Sequence, residues 1–398
     1  MINIPNSLEN SESKYITIPC MQRFCKKHNL QTTGPREDLL KTIKAFSASD
    51  STNEEIVENW LDTVFKEGIK DLYVSELHIP SAIEMMLRNN EAINNLLSSK
   101  LQNNPKGSIC RTRHEDSFKF LNFNMDNKKR IISFTFTRLI SLANRKTREA
   151  IVYPIFVDVL LDERLIIGRA KSKADLYYEN LSTLDVSKAS PVPTGRIIED
   201  TIKIVRNMLG LKEEERKHSS HSFKNKLYKV LDRYTFTPKV IEEKIESKQE
   251  FVNDTVTLFL KEFEVPHSSM KDLKSDLINM AEKYISINYA DKSIFTADRE
   301  AYPLKLKATD EEASRVEQTS PLEEPLQSKS IFFDNKKMLQ NAKACDGVKF
   351  VFKRKDRAYF GEDFKVEFKI DKGYCIIKFL EFTEECDIQN VLSNIINS

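Results

Sequence analysis

Four apolar runs between residues 117 and 170 constrain the fold of this chain more than any other feature. Each run is rich in β-branched and aromatic residues, and polar turn-forming residues separate the runs, which cover 117–125, 130–140, 150–160 and 164–170. Together they predict a four-stranded antiparallel meander. The third run is apolar almost without interruption and predicts a central strand covered on both faces, whereas the alternating first two predict strands with one face in solvent.

Helical spacing of apolar residues dominates most of the chain outside the meander. A length of 398 residues suggests two or three domains, and the patterns together predict the α+β class. The predicted segments are a small helical module at 14–46, a linker and helical region at 47–106, an antiparallel β-region at 107–190, a helical region at 191–304, an acidic flexible linker at 305–330 and a C-terminal α/β segment at 331–398.

Several local patterns predict individual elements. An amphipathic helix from residue 197 is expected to end near Gly210. In the last segment, three strands are expected after a first one at 330–334, with a hairpin turn at 371–373 and a terminal helix around 388–396.

Polar stretches predict the irregular parts of the chain. Residues 1–13 are polar and suggest a loose tail, and the Ser-rich segment 46–55 suggests a linker. The charged segment 212–222 is expected to be a surface loop. The stretch 308–325 holds one base and six acids, 1 − 6 = −5, which predicts an exposed flexible segment.

Composition removes several classes of protein. Lys and Arg number 62 and Asp and Glu 60, so the net charge is only +2 and any basic site must be local. No run of 18 apolar residues is present, and the N-terminus lacks a signal-peptide pattern, so the expectation is a cytoplasmic protein without a membrane partner. The six cysteines contain no CxxC pair, which predicts reduced thiols and no metal or other cofactor.

Motifs for the common enzyme classes are missing from the sequence. It has no GxxxxGK[ST], GxGxxG, GxSxG or HExxH, so a non-enzymatic role is favoured. One lead remains, because Glu367-Phe368-Lys369, with Asp356 or Asp363 upstream, resembles the core of a PD-(D/E)xK nuclease. Two carboxylates could then hold Mg²⁺ beside a lysine. Alternation along an ordinary strand explains the same residues.

The segment from Ile18 to Phe46 predicts two short amphipathic helices around a tight turn, with Thr17 as the first N-cap and Pro19 in the first turn. The residues that define it are Met21, Phe24 and Cys25, then Asn29-Leu30, Thr32-Thr33-Gly34 and Arg36, followed by Leu39, Leu40 and Ile43. On these residues the segment resembles the SAP domain, a helix-turn-helix-like module that binds DNA in many chromatin and repair proteins. The resemblance implies DNA binding, with Arg36 at the family's basic position after the turn glycine.

A local excess of positive charge in two segments is also compatible with DNA binding. Residues 14–46 hold seven bases and two acids, 7 − 2 = +5, and residues 100–150 hold twelve and four, 12 − 4 = +8. Backbone N–H groups, hydroxyls and cations can together hold a phosphate backbone without reading sequence. The candidate DNA-binding residues are Lys26, Lys27, Thr32, Thr33, Gly34, Arg36 and Lys41 in the module, and Arg111, Arg113, Lys128, Lys129, Arg130, Arg145, Lys146 and Arg148 in the β-region.

Two other functions stay open beside binding to nucleic acid, for which duplex DNA is favoured over RNA. The chain can be a non-catalytic interaction subunit of a genome-maintenance or antiphage-defence complex, with 308–325 and the terminal helix recruiting a protein partner. It can also be a metal-dependent nuclease. For both basic regions, the plain alternative is a solvated charged surface.

Overall fold

The computed structural model describes residues 2–100, 107–111, 118–143, 148–178, 190–309, 315–320 and 323–398. Within these ranges thirteen α-helices accompany twelve strands of an antiparallel sheet, which confirms the predicted α+β class. The chain divides into two compact units. The first holds 1–220, 354–364 and 370–396, and the second holds 221–353, 365–369 and 397–398.

The helices are α1 (Asn6–Glu9), α2 (Ile18–Lys27), α3 (Arg36–Ser49), α4 (Ser51–Lys66), α5 (Ser81–Leu87), α6 (Asn90–Lys100), α7 (Thr194–Leu209), α8 (Arg216–Tyr234), α9 (Lys239–Glu246), α10 (Gln249–Glu262), α11 (Met270–Asn288), α12 (Ser330–Ala342) and α13 (Glu385–Ile396). The strands are β1 (Lys70–His78), β2 (Phe118–Asp126), β3 (Ile131–Ala143), β4 (Arg148–Leu160), β5 (Leu165–Lys171), β6 (Leu176–Tyr177), β7 (Lys212–Glu213), β8 (Ala301–Thr309), β9 (Arg315–Thr319), β10 (Gly347–Lys353), β11 (Asp363–Asp371) and β12 (Tyr374–Phe379).

The predicted meander forms β2 to β5 of the first unit, where the strand order is β2-β3-β4-β5-β1-β12. β4 is buried along most of its length and is the covered central strand that its apolar run predicts. The middle of β3 is buried on both faces as well, contrary to the expected wet face. The reason is visible in the register, because Thr135 lies opposite Phe156, which belongs to a core shared with the N-terminal helices.

Two hydrophobic cores enclose this sheet. On one face Ile198 and Ile202 of α7 pack against strand residues such as Phe134 and Val157. On the other face, α2, α3 and α4 pack together with the N-terminal residues. The expected loose tail at 1–13 is therefore wrong, because side chains such as Leu8 are buried in that second core.

The N-terminal helices confirm the predicted start of α2, but the predicted linker at 46–55 is wrong. Thr17 caps α2 by accepting the Cys20 N–H at 3.4 Å, and Pro19 lies in the first turn, as predicted. The segment 46–55 is helical rather than a linker, since α3 runs to Ser49 and α4 begins at Ser51. Asp50 makes this possible, because its carboxylate accepts the Asn53 N–H at 2.8 Å and caps α4.

Strand β1 lies inside the region 47–106, where only helix or linker was predicted. Gly68, with φ +99°, follows α4, and the chain then enters the sheet. β1 pairs antiparallel with both β5 and β12. Its pattern was hard to recognise because the polar Lys70 and Asp71 are buried among its apolar residues.

The second unit holds α9 to α12 and the strand order β10-β8-β9. β9 falls within the expected acidic linker 305–330, which is therefore only partly irregular in the described residues. It pairs with β8, and Lys305 Nζ lies 2.7 Å from Glu317 across the two strands. Side-chain pairing of this kind stabilises a strand that composition alone assigns to a loop.

Of the other C-terminal predictions, some are confirmed and some are wrong. β10, β11 and β12 are confirmed, as are the turn at 371–373, where Lys372 and Gly373 have positive φ, and the terminal helix, seen as α13. The expected strand at 330–334 is instead the start of α12, and the expected loop at 212–222 contains β7 and the start of α8. α7 ends at the Gly210 C-cap as predicted, with φ +69°. Among the described helices, none is long and apolar enough to cross a membrane.

Candidate binding surfaces

Arg36 is placed differently from the SAP-like expectation. Its guanidinium N–H groups donate to the backbone carbonyls of Ile16 and Glu9, and the side chain is half-buried. Nearby, Lys44 Nζ lies 2.9 Å from the Glu9 carboxylate. In this arrangement Arg36 links α3 to the N-terminal segment. Its geometry supports this structural role rather than the expected contact with phosphate.

The start of α3 also differs from a phosphate-binding helix terminus. Pro35 is the N-cap, and no side chain caps the helix. Glu37 and Asp38 lie exposed in the first turn, where they already satisfy the positive end of the helix dipole and repel a second anion. Thr33 and Gly34 are exposed beside them and Thr32 is half-buried. The turn is accessible, but its charge does not favour phosphate.

Three candidate cations of the module remain available. Lys26, Lys27 and Lys41 are exposed, and no hydrogen bond or ion pair to the rest of the described chain occupies them. Lys26 and Lys27 lie in the last turn of α2, where the helix dipole stabilises positive charge. Within the module, these lysines are the predicted DNA-binding residues that the geometry leaves free.

Among its described residues, the second basic region does not form one continuous patch. Arg111 is bound by Glu58, and Arg130 Nε lies 2.7 Å from Asp162. Lys128 and Lys129 are exposed in the turn before β3. Arg148, the first residue of β4, lies beside the other end of β3. Thirteen residues of β3 separate the two ends by roughly 40 Å. Arg113, Arg145, Lys146 and the side chain of Arg148 lie outside the described residues.

A cavity of about 580 Å³ lies beside α2 and α4 in the first unit. Phe24 and Trp60, with ring centroids 4.7 Å apart, form part of its apolar wall, and Lys27 is among its lining residues. Arg23 neutralises the lining acids, because it lies 2.8 Å from Glu67 and also contacts Glu384. Burial raises the pKa of Glu67, although Arg23 opposes that shift.

The nearest approach to a metal site in the described chain does not have the chemistry of one. Glu384, Cys386 and Asp387 place ligand atoms within 4.8 Å of one another. However, Arg23 binds Glu384, and Arg354 binds Asp387 at 3.3 Å. Burial also raises the pKa of the Cys386 thiol. The group is an ion-pair network with two arginines, and a further cation would be repelled.

The nuclease-like residues lie on one strand face. Asp363, Glu367 and Lys369 alternate with the buried Phe364, Val366 and Phe368 along β11. Asp356 instead accepts the Ala358 N–H within its own loop. Simple alternation accounts for this pattern, and the structure adds nothing that favours a nuclease.

The second unit carries a surface that the sequence reasoning missed. Of the twelve large hydrophobic residues that are exposed in the described chain, nine lie between 236 and 331 and six of those are on or directly after α10 and on α11. Phe251, Leu258 and Phe263 are 67%, 58% and 68% exposed. Phe259 stacks on Phe263 with ring centroids 4.5 Å apart. Such concentration on one helical hairpin is unusual for a surface that faces only water.

Comparison of this chain with models of known protein families, with curated proteins and with solved structures found no match.

Proposed function

We propose that this protein is a non-catalytic interaction subunit that docks a protein partner through the apolar surface of α10 and α11. The single observation that carries the proposal is the cluster of exposed aromatic and aliphatic side chains on this hairpin. Burying one such side chain contributes about 1.5 to 3 kcal/mol. Large aromatic anchors are also the residues that dominate binding energy in protein interfaces.

The docking surface differs from the one expected from sequence. The terminal helix α13 cannot recruit a partner with its apolar residues, because Ile388, Val391, Leu392 and Ile395 are buried. Within 308–325, residues Arg315–Thr319 form β9. By contrast, Phe251 and Leu258 of α10, and Phe263 directly after it, are exposed to solvent. We therefore propose α10 and α11, rather than the acidic stretch and α13, as the surface that binds the partner.

Site-specific photocrosslinking in the native cell tests this function. A photoreactive phenylalanine at position 251 or 263 should give a discrete adduct with another protein, and the same group at Met85 should not. Met85 is the matched control, because it is 82% exposed and belongs to α5 of the first unit. The identified partner should bind the purified chain and lose affinity at least tenfold for Phe263→Asp. Equal adducts at all three sites, or none at 251 and 263, would remove the proposal.

Binding of duplex DNA phosphates by the SAP-like module is the second candidate function. The observation that favours it is the exposure of Lys26, Lys27 and Lys41 without partners in the described chain. They are compatible with backbone contacts that carry no sequence preference, as part of a genome-maintenance or antiphage-defence complex.

Salt-titrated binding to random duplex DNA tests this second function. The triple substitution Lys26→Ala, Lys27→Ala, Lys41→Ala should weaken binding and lower the salt slope by up to about 2.7, because each neutralised phosphate contributes about 0.9 to that slope. The matched control replaces Lys229, Lys261 and Lys271, which are exposed on helices outside the module. An unchanged slope in the module variant, or an equal drop in the control, would exclude the module as the DNA-binding surface.

A further inference from the structure

Another cavity of the first unit, about 400 Å³ in volume, lies along the polar face of α7. We call it the α7 cleft; its walls come from residues 196–207 of α7, from 211–216 and from Tyr374. The apolar face of the same helix packs in a core through residues such as Ile198 and Ile202. Small-molecule sites in proteins have volumes of about 300 to 1,000 Å³, so the cleft has room for such a ligand.

The turn after α7 brings three cationic side chains to the same end of the cleft. Gly210 ends the helix, and the Leu211 N–H donates to the Arg206 carbonyl at 2.8 Å. This bond sets Lys212 beside the last turn of α7, where Arg206 lies. Lys203 precedes Arg206 by three residues and is therefore on the same helical face. All three cations line the cleft.

Arg206 is a buried charge whose hydrogen bonds are incomplete. It is only 7% exposed. Its Nη2 lies 3.4 Å from Glu213 Oε2, whereas its Nη1 has no hydrogen-bond partner in the described part of the chain. Glu213 is also shared, because Arg216 Nε lies 3.3 Å from its other carboxylate oxygen. A buried charged donor without a partner costs free energy, which a bound acceptor would recover.

The other charges of the cleft leave an excess of positive charge. Arg196 Nε lies 3.2 Å from Asp200 Oδ1, so these two side chains balance. Lys203 and Lys212 are exposed and have no ion pair or hydrogen bond to other described residues. Glu199 is half-buried, and burial raises the pKa of its carboxyl, which disfavours its negative charge. With five basic and three acidic side chains in its lining, the cleft has a formal net charge of +2.

We infer that the α7 cleft binds a small phosphate monoester, with the phosphate at Arg206, Lys203 and Lys212. At neutral pH a phosphate monoester carries a charge of about −1.5 to −2, which matches the net charge of the cleft. A carboxylate, or a phosphodiester of a nucleic acid backbone, carries only one negative charge. Guanidinium and ammonium groups are the donors that bind phosphate oxygens most strongly.

The rest of the lining indicates a ligand that is polar beyond its phosphate. Glu199 and Asp200 lie about one turn before Lys203 on the same face of α7, and their carboxylate oxygens can accept hydrogen bonds from hydroxyl groups. Of the described lining residues, only Leu211 and Tyr374 offer apolar surface. A phosphorylated sugar, which carries several hydroxyl groups, is therefore the class of ligand that fits this lining.

Isothermal titration of the full chain with ribose 5-phosphate tests the inference, with ribose and dimethyl phosphate as comparison ligands. Ribose 5-phosphate should bind at one site per chain and at least about tenfold more tightly than either comparison ligand. The reason is that ribose has no phosphate and dimethyl phosphate has a single negative charge. Inorganic phosphate should compete with ribose 5-phosphate but bind more weakly, since it makes only the contacts at the cationic end.

A pair of exposed lysines locates the binding. Lys203→Gln together with Lys212→Gln removes the two unpaired cations and should weaken ribose 5-phosphate binding at least about tenfold. Both side chains are exposed, so the fold should be retained. The matched control is Lys244→Gln together with Lys248→Gln, two exposed lysines of the second unit, and should leave the affinity unchanged.

Three results would overturn the inference. They are no saturable binding of ribose 5-phosphate or inorganic phosphate, equal binding of dimethyl phosphate, and an affinity that the Lys203 and Lys212 substitutions leave unchanged or that falls equally in the control. Inorganic phosphate that binds as tightly as ribose 5-phosphate would retain the phosphate site and remove the sugar. Photocrosslinking at positions 251 and 263 does not depend on this ligand, so the two proposals can fail separately.

Discussion

The positive charge of Arg36 is used inside the molecule. Its N–H groups donate to the carbonyls of Glu9 and Ile16, 27 and 20 residues away in sequence. Arg23 is similarly bound to Glu67, 44 residues away. Sequence shows that a segment is basic, but not which distant carbonyls or carboxylates reach its cations. That is why the module's excess of bases overstated the charge available to a ligand, while Lys26, Lys27 and Lys41 remain exposed.

Replacement of Arg36 should therefore affect stability. We expect Arg36→Ala to lower the free energy of unfolding by about 1 to 3 kcal/mol, because two carbonyls lose charged donors. Lys41→Ala is the matched control on the same helix and should change it by less than about 0.5 kcal/mol, as for most exposed positions. Urea unfolding measures both. Equal effects of the two substitutions would show that Arg36 does not hold the N-terminal segment.

At the scale of elements, short-range signals predicted most boundaries correctly. The Thr17 cap, the end of α7 at Gly210 and the turn before β12 each depend on residues adjacent in sequence. Elements defined by distant partners were missed. β1 is a strand because β5 and β12 lie on either side of it, and α12 begins with a β-branched and aromatic run that reads as a strand in isolation.

The apolar residues of α10 and α11 are present in the sequence, but the sequence does not show which of them are exposed. A helix with two apolar faces has no clean polar side, so its periodicity indicates only a packed helix. The structure separates the two faces, because it shows Ile278 and Ile285 in a core and Met280 and Tyr284 in solvent. The candidate site in the second unit thus needed burial as well as pattern.

For the molecule as a whole, two buried lysines couple folding to pH. Lys70 and Lys171 lie opposite each other on β1 and β5, and both ammonium groups lie over the ring of Tyr15, at 4.8 and 4.6 Å. Burial, with Lys173 and Lys14 nearby, lowers the pKa of Lys171 to about 7. Burial, with Lys171 and Arg169 nearby, holds the pKa of Lys70 well below its usual value.

These shifts set the sign of the pH dependence. An unfolded lysine keeps its proton up to about pH 10.4, whereas folded Lys171 loses it near pH 7, so the unfolded chain binds more protons in between. The contribution of Lys171 to stability therefore rises between pH 7 and 9 and is lost as pH falls through 7. Lys171→Met should reduce the slope of unfolding free energy against pH by about 1.4 kcal/mol per pH unit.

Comparison of two variants isolates this contribution. Burial raises the pKa of Cys20 to about 11 and of Cys110 to about 12, which gives an opposing slope at alkaline pH. That slope is common to the original chain and to Lys171→Met, so it cancels in the difference. Lys41→Met, at an exposed position, should leave the slope as it is in the original chain. If both substitutions act alike, Lys171 is protonated in the folded protein at pH 8.

Asp50 is the single residue between α3 and α4, and both helices share a core with the sheet of the first unit. The segment 14–46 is therefore not a separate module on a flexible tether. If a DNA duplex bound at Lys41, its orientation relative to β2 to β5 would be fixed, and the whole first unit would have to rotate with it. Any bending of the DNA, or movement along it, would then depend on the whole unit and not on these helices alone.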